Sequence, residues 1–256
     1  MFISGYKLKA YSGVLNFKEM NKQITDCKGC QNTDCLIKKH CDDEGADAFL
    51  SRRNTISCRK TQNIIIEGSP VHALYFIYSG KVKILNTGIH GREQILRLAK
   101  DGEMIGLRGF STLQYFPIGA VALEDTIICN FRVEIMKEML LSLPKLSYDF
   151  MNLYAEELSR SETKVRKLAH MNVREKVVDT LLYINRKFGQ KNGFLRIKLS
   201  RKEIADFAGT TEEQVIRVIS ALKKEELIVS EGKKLGIPNV DILRKEINEH
   251  HYFIQS

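Results

Sequence analysis

Long apolar runs are missing from this sequence. No segment approaches the roughly 18 uninterrupted apolar residues that a membrane-spanning helix needs, so no membrane association is expected. The first residues, MFISGYKLKAYSG, also lack the apolar core of a secretory signal peptide. A cytoplasmic location is the expectation that follows.

The usual signatures of enzymes are missing as well. The sequence contains no phosphate-binding loop, no dinucleotide-binding fingerprint and no pair of nucleophile and base. We therefore expect a binding protein and not an enzyme. The net charge of +9 suits a polyanionic partner, but the basic residues are spread along the chain and only support this interpretation.

Cysteine is concentrated in one short stretch. In a reducing compartment, such a cluster indicates metal binding or thiol redox chemistry sooner than disulfides. Cys58, in a strand-like stretch, is interpreted as a small buried hydrophobic residue. His40 has no ligand spacing with the cysteines and is expected to be a surface or packing residue. The clustered residues, four of the six cysteines, are Cys27, Cys30, Cys35 and Cys41.

Residues 54–131 have the pattern of short strands separated by turns. Apolar runs at residues 64–66 and 73–77 each stop at a glycine-containing turn, and KVKIL at residues 81–85 alternates with period two. Many short strands favour a β-roll or jelly-roll. The chain of 256 residues is long enough for two modest domains. We divide it into a cysteine-bearing segment (1–45), a sensor domain (46–140), a long helix (141–171) and a C-terminal domain (172–256).

The apolar spacing changes after residue 133 to the threes and fours of an amphipathic helix. Pro144 suits a first helical turn, and the opposite face is rich in charged residues. An exposed helix with one apolar stripe needs a partner, either a second copy of itself or its own β-domain. The stripe consists of Leu146, Phe150, Tyr154, Leu158, Val165 and Leu168.

Two short helices separated by a glycine turn follow at residues 199–222. Ser200 and Glu203 fit a capping box at the start of the first helix, and Thr211 and Gln214 fit one at the start of the second. Gly209 between them tolerates the left-handed conformation of a tight turn. An earlier helix at residues 172–188 begins with the same pattern, in Asn172 and Glu175. The buried stripe of the second short helix is expected to be Val215, Val218, Ile219 and Leu222.

The outward face of the second helix carries side chains that can read DNA bases in the major groove. Arg217 suits guanine, Glu213 suits the amino group of cytosine, and Ile216 suits a thymine methyl group. The plain alternative is a Glu213–Arg217 salt bridge on the surface of a packed helix. Residues 227–234 look like a strand, a turn and a basic wing tip. The remaining candidates for DNA contacts, through hydroxyls, helix N-termini or charge, are Glu212, Ser200, Arg201, Thr210 and Thr211.

Taken together, these motifs resemble the CRP/FNR family of transcription regulators. The resemblance includes LYFIYSGKVKI at 74–84, DGEMIG at 101–106 and the E-x-x-x-R pair Glu213 and Arg217. It implies an α+β fold with an N-terminal cyclic-nucleotide-binding-type β-roll, a long dimerisation helix and a C-terminal winged helix-turn-helix. It also implies a homodimer on double-stranded DNA with a palindromic site, with RNA polymerase as a further partner. Ile216 departs from the small or polar residue often found there.

The chain also departs from the members of the family that bind cyclic AMP. Their Gly-Glu-Leu element is represented by Gly106, Leu107 and Arg108, and their Arg-Ser pair falls in FPIGA at residues 116–120. The carboxylate for the ribose and the arginine for the phosphate are both missing. Cyclic AMP is therefore not the expected ligand.

The cysteines resemble instead those of the iron–sulfur FNR branch. Cys27, Cys30 and Cys35 have the spacing C-x₂-C-x₄-C, one residue shorter than in that branch, and Cys129 lies where it has its fourth ligand. The resemblance implies a [4Fe–4S] cluster that senses oxygen, redox state or nitric oxide, with Cys41 as an alternative ligand. Three alternatives stay open: bound zinc, metal-free redox thiols, and a small-molecule sensor of the same architecture. An iron–sulfur electron carrier or redox enzyme is the rival from another class.

Overall fold

The structure is a computed structural model that describes residues 26–110, 114–248 and 250. Residues 1–25 of the predicted cysteine-bearing segment lie outside the described residues. All six cysteines lie within them, and none of the six is in a disulfide.

Two four-stranded antiparallel sheets form the β-roll. Their strand orders are β1-β8-β3-β6 and β2-β7-β4-β5. The alternation predicted in KVKIL is present, because Val82 and Ile84 are buried while Lys81 and Lys83 are half-buried. The strands are β1 Asn54–Cys58, β2 Asn63–Ile65, β3 Ala73–Ser79, β4 Lys81–Thr87, β5 Glu93–Lys100, β6 Met104–Ile105, β7 Gly119–Ala122 and β8 Thr126–Arg132.

The cysteine segment is docked against this roll. It contains the short helix α1 (Leu36–Lys39) and is followed by a second short helix, α2 (Asp47–Leu50). Leu36 and Ile37 are buried in a core shared with the roll. The side-chain amide of Asn32 donates to the backbone carbonyl of Tyr78 at 2.6 Å, at the end of β3. The segment is therefore fixed to the sheet by both apolar burial and hydrogen bonding.

A long helix follows the roll. Helix α3 (Val133–Ser142) leads into α4 (Pro144–His170), which has 27 residues and begins with proline as predicted. Phe150 packs edge-on against Phe110 of the roll at 5.5 Å between ring centroids. No helix in the described part of the chain is long and apolar enough to cross a membrane.

The single apolar stripe predicted for this helix is wrong. Leu146 is buried and the hydroxyl of Tyr154 donates to the carbonyl of Leu107 at 2.6 Å, so this part of the stripe faces the protein's own roll. Leu158 and Val165 lie on another face and are 62% and 66% exposed. Tyr148 and Met151 are exposed as well. One face of the helix thus packs on the protein's own roll, and a second face with apolar residues is exposed.

The C-terminal part is a winged helix-turn-helix. Its helices share one apolar core, which also includes Leu85, Ile95 and Leu98 of the roll. The predicted α+β architecture is confirmed. The elements are α5 Val173–Phe188, β9 Gln190–Lys191, β10 Phe194–Leu195, α6 Arg201–Ala208, α7 Glu212–Lys224, β11 Val229–Glu231, β12 Lys234–Gly236 and α8 Val240–Lys245.

Candidate functional site

The turn between α6 and α7 is built as the sequence predicts. The amide of Glu203 donates to the Ser200 hydroxyl at 3.0 Å, and the Ser200 amide donates to the Glu203 carboxylate at 2.8 Å. Gly209 ends α6 in the left-handed region, with φ of 68°. A Cβ atom at that glycine would lie 2.5 Å from Cδ2 of Leu168. Backbone conformation and lack of space therefore both favour glycine at this turn.

The second predicted capping box is only half formed. The Gln214 amide donates to the Thr211 hydroxyl at 3.4 Å. The side chain of Gln214 does not return to the Thr211 backbone, because it accepts a hydrogen bond from the hydroxyl of Thr210. Thr211 still caps α7, and the two threonines stand half-buried at its N-terminus.

The outward face of α7 is the one predicted. Val215, Ile219 and Leu222 are buried, and Val218 is half-buried beside them. The opposite face presents Ile216 with 47% of its surface exposed, although it is a large apolar residue. The charged side chains of Glu212, Glu213 and Arg217 are also exposed on this helix.

Glu213 and Arg217 do not form the surface salt bridge that was the plain alternative. No ion pair within 4.0 Å joins them among the described residues. The pKa of Glu213 is lowered first by its own backbone amide at the helix start, then by the Thr211 hydroxyl and by the charge of Arg217. The carboxylate form of Glu213 is thus favoured, and its acceptor atoms are not taken up by an ion pair with Arg217.

Arg201, the first residue of α6, carries an unsatisfied donor. It is half-buried, and its Nη1 atom has no hydrogen-bond partner within the described part of the chain. Desolvation lowers the pKa of this guanidinium. A buried donor without a partner is costly, and a DNA phosphate is one group that would satisfy it. Ser200 beside it is half-buried at the N-terminus of the same helix.

The predicted wing is a short hairpin. Strands β11 and β12 pair in antiparallel fashion, with Glu231 opposite Lys234. Gly232 at the tip has a positive φ of 57°, and Lys233 next to it is exposed. The tip therefore offers an exposed cation, as the sequence indicates.

Four of the predicted metal ligands line one small cavity. Cys27, Cys30 and Cys35 reach it from the N-terminal segment, and Cys129 reaches it from β8. Its volume is ≈ 20 Å³. Cys41 is buried outside this lining, and its sulfur is 3.8 Å from Nζ of Lys38. The geometry therefore favours Cys129 over Cys41 as the fourth member of the set.

The walls of this cavity favour the protonated form of three of its thiols, those of Cys27, Cys35 and Cys129. Burial raises the pKa of Cys27 and Cys129, and in both cases the charge of Arg53 partly opposes the rise. Burial also raises the pKa of Cys35 to about 11. Nη1 of Arg53 lies 3.8 Å from the sulfur of Cys27. Because the thiolate is the reactive form, these thiols are poorly suited to redox chemistry without a metal.

The grouping does not fit a single bound ion. Among the described residues, no three histidine, cysteine, aspartate or glutamate side chains are arranged so that they could hold one metal ion. Zinc bonds to sulfur at about 2.3 Å and needs its ligands gathered around one point. A [4Fe–4S] cluster also takes four thiolates, but each binds a different iron, so the sulfurs need not meet at one point. The donor set suits such a cluster.

The sequence interpretation missed Arg53 as a functional candidate, and it did not predict the partners of His40. His40 is buried, with Nδ1 2.8 Å from a carboxylate oxygen of Asp43 and Nε2 3.0 Å from one of Asp149. It is therefore a packing residue, one of the two possibilities expected from the sequence. The i,i+3 spacing to Asp43 was a signal in the sequence, whereas Asp149 lies too far along the chain. Cys58, by contrast, is buried in β1 as predicted.

Comparison with known families identifies this combination of domains. Residues 55–142 match the cyclic nucleotide-binding domain family, and residues 175–246 match the Crp-like helix-turn-helix domain family. The two matches follow each other in one chain, separated by the long helix. The chain belongs to the CRP/FNR family of transcription regulators. DNA binding and dimerisation follow from this membership.

Individual relatives agree with the assignment. The transcriptional activator protein Anr of Pseudomonas protegens is 28% identical over 217 residues, covering 82% of this chain and 88% of the relative. The fumarate and nitrate reduction regulatory protein of Vibrio cholerae is 27% identical over 222 residues, covering 82% and 86%. The solved structure of FixK2 from Bradyrhizobium japonicum has a TM-score of 0.68 at 23% identity, covering 75% of this chain and 96% of that one. The last similarity concerns the fold alone.

Proposed function

We propose that this CRP/FNR-family protein senses oxygen, redox state or nitric oxide through a [4Fe–4S] cluster held by Cys27, Cys30, Cys35 and Cys129. The observation that carries the proposal is the shared cavity that these four residues line, although Cys129 is distant from the others in sequence. The relative named for fumarate and nitrate reduction supports a signal of this class.

The cluster would supply a centre that reacts with oxygen or nitric oxide and that takes four thiolates from the chain. The chain's own residues do the rest. Burial keeps Cys27, Cys35 and Cys129 protonated, so ligation must release these protons. Arg53 and Lys38, which also line the cavity, would offset the negative charge of the four thiolates.

The signal would reach DNA through dimer geometry. The exposed residues of α4, including Leu158 and Val165, would form the seam between two copies. Two recognition helices would then face the two halves of a palindromic site. Glu213 and Arg217 would read a G·C pair in each half, with Ile216 against a thymine methyl group.

The remaining contacts at this surface would go to the DNA backbone. Ser200, Thr210 and Thr211 stand at helix N-termini, which favour phosphates, and the free Nη1 of Arg201 would find a partner there. Bound in this way next to a promoter, the dimer would also contact RNA polymerase, in the cytoplasm where the chromosome lies.

Cyclic AMP is not part of this proposal. Leu107, where the cyclic AMP binders carry a carboxylate, is buried and its carbonyl accepts from Tyr154. The ring of Phe116 occupies the space over the glycine turn before it. A Cβ atom built on Gly106 would lie 2.9 Å from Cε1 of that ring. The missing carboxylate and arginine therefore oppose a cyclic nucleotide inside the roll.

The proposal is tested by purifying the full chain without air. We expect a brown protein with about four iron atoms per chain, whose visible absorption is lost on exposure to air together with sequence-selective DNA binding. Alanine at Cys27, Cys30, Cys35 or Cys129 should each abolish iron binding. Alanine at Cys58 is the matched control and should leave the iron content unchanged.

Two results would contradict this proposal. A colourless, iron-free protein from anaerobic preparation would contradict sensing through a [4Fe–4S] cluster. Loss of iron from the Cys41→Ala variant, with iron retained in Cys129→Ala, would instead overturn the assignment of the fourth ligand. Neither result would affect the membership in the family.

A further inference from the structure

A second cavity lies between the roll, the long helix and the DNA-binding domain, away from the cysteines. Its volume is ≈ 570 Å³, within the range of about 300–1,000 Å³ found for small-molecule sites. Leu96 lines it from β5, Leu168 from α4, Tyr183 from α5 and Phe207 from α6. The cavity thus has apolar and aromatic walls from both domains.

The charged groups around this cavity are mostly positive. Seven lysines and arginines line it, against two carboxylates, Glu157 and Asp179. Glu157 is shared by three arginines, at 3.4 Å from Arg97, 3.7 Å from Arg108 and 2.9 Å from Arg160. Glu103 also pairs with Arg97 and Lys187, and Glu156 pairs with Arg160. Four carboxylates therefore face the seven cations, and an excess of positive charge remains.

Lys164 is the cation with the least compensation. Asp179, the other carboxylate, is bound to Lys167 at 2.8 Å. Nζ of Lys164 instead lies 3.7 Å above the ring centroid of Phe207 and donates to the backbone carbonyl of that residue. No carboxylate among the described residues lies within 4.0 Å of this ammonium group. An anion in the cavity would supply the missing charge.

The position of the cavity separates these cations from DNA binding. Lys164 contacts Phe207 of α6 on the side of the helix that faces the roll. Gln94 of β5 donates to the carbonyls of Asp206 and Phe207, so the same helix is also tied to the roll. The recognition face of α7 is not part of the cavity lining. A ligand here would touch the junction of the two domains.

We propose that this interdomain cavity binds an organic anion, with its carboxylate or phosphate at Lys164 and its apolar body against Leu168 and the stacked rings of Tyr183 and Phe207. Such a ligand would strengthen the contact between α6 and the roll and so bias the orientation of the recognition helix. The site lies outside the roll interior and uses none of the cysteines. The proposal of this site can therefore be tested independently of the proposed cluster.

The test uses the full chain and two fluorescent probes of similar shape, the anionic 1-anilinonaphthalene-8-sulfonate and the uncharged N-phenyl-1-naphthylamine. We expect saturable binding of the anionic probe, weakened about tenfold or more in Lys164→Met. The uncharged probe should bind both proteins within about twofold. Lys137→Met, which removes an exposed lysine of α3, is the matched control and should behave as the parent protein.

A second variant distinguishes loss of the anion site from misfolding of Lys164→Met. Arg186 lines the same cavity from α5 but is exposed, so Arg186→Gln spares the packed core and should weaken the anionic probe about threefold. Displacement of the probe by 1-naphthoate indicates a carboxylate ligand, and displacement by 1-naphthyl phosphate indicates a phosphate ligand. Displacement by neither compound would overturn the proposal. So would unchanged binding of the anionic probe in both variants, or equal weakening of the charged and uncharged probes.

Discussion

The Nε2 atom of His40 lies 3.0 Å from Oδ2 of Asp149. His40 immediately precedes Cys41 in the cysteine segment, and Asp149 belongs to the long helix α4. The other ring nitrogen, Nδ1, lies 2.8 Å from Asp43 in the same segment. A buried imidazole thus joins the region that would sense the signal to the helix that would carry it.

Replacing Asp149 with alanine should weaken this connection. We expect a loss of about 1 kcal/mol in the free energy of unfolding, because a hydrogen bond to a charged group is removed at a partly exposed position. If the connection transmits the signal, the ratio of DNA affinities with and without air should also fall. Urea unfolding and fluorescence anisotropy measure the two effects. Glu156→Ala, which removes an exposed salt bridge from the same helix, is the control and should change neither quantity. If the effect of air on DNA binding is the same in Asp149→Ala as in the parent protein, the connection between His40 and Asp149 does not transmit the signal.

A charge in the exposed stripe of α4 should prevent dimerisation. Tyr148, Met151, Leu158 and Val165 are separated by three or seven residues, which is the spacing of a coiled-coil seam. Leu158→Glu should therefore give a monomer at about micromolar concentration and abolish binding to a two-half-site DNA. Analytical ultracentrifugation measures the first effect. Ile89→Glu introduces the same charge at a residue that is 82% exposed on the roll, and this control variant should stay dimeric. If Leu158→Glu is also dimeric, the dimer interface lies on another surface.

Local signals in the sequence predicted local structure well. The capping boxes at Asn172 and Ser200 are both complete, because each depends on two residues three positions apart. The glycine turn at Gly209 and the alternation in β4 have equally local causes. The cysteine set was found in another way, by resemblance to a family, since spacing alone does not bring Cys129 to the N-terminal segment.

The failures concern relations between distant parts of the chain. The apolar stripe of α4 mixed Leu146, which packs on the roll, with Leu158, which does not. Helical spacing alone could not separate these faces, because the surface that covers Leu146 comes from elsewhere in the sequence. The partner of His40 on α4 was not predicted for the same reason, since Asp149 is 109 residues away. At Thr211 the predicted capping box forms only in part, because the hydroxyl of Thr210 donates to the Gln214 side chain that would have completed it.

Substitutions on α7 should alter sequence preference more than overall affinity. Arg217→Ala should reduce discrimination at one base pair of each half-site by about 1–3 kcal/mol. Glu213→Ala should do so at a neighbouring pair, because the two residues lie one helical turn apart. Selection from a library of randomised half-sites measures both effects. Lys223→Ala, in the last turn of the same helix, is the control and should weaken binding to all DNA sequences about equally or not at all. If Arg217→Ala leaves the sequence preference unchanged, Arg217 does not read a base.

The stability of the protein should rise with pH through the titration of Lys164. Desolvation lowers the pKa of this lysine from 10.5 to about 7 in the folded chain, with Asp179 opposing the shift and Lys167 adding to it. Below pH 7 the lysine is charged in both the folded and the unfolded chain, so its contribution is constant. Between about pH 7 and 10.5 the unfolded chain holds the extra proton, so raising the pH favours the folded state.

The measurement is urea unfolding of the parent protein and of Lys164→Met between pH 6 and about pH 9. The parent should gain on the order of 1–2 kcal/mol relative to the variant from pH 7 to about pH 9, with no relative change below pH 7. Lys137→Met, whose lysine is exposed, should follow the parent throughout. A relative gain in the opposite direction would mean that the contact with Phe207 stabilises the charged amine more than desolvation penalises it. The cation in the interdomain cavity would then be permanent at neutral pH.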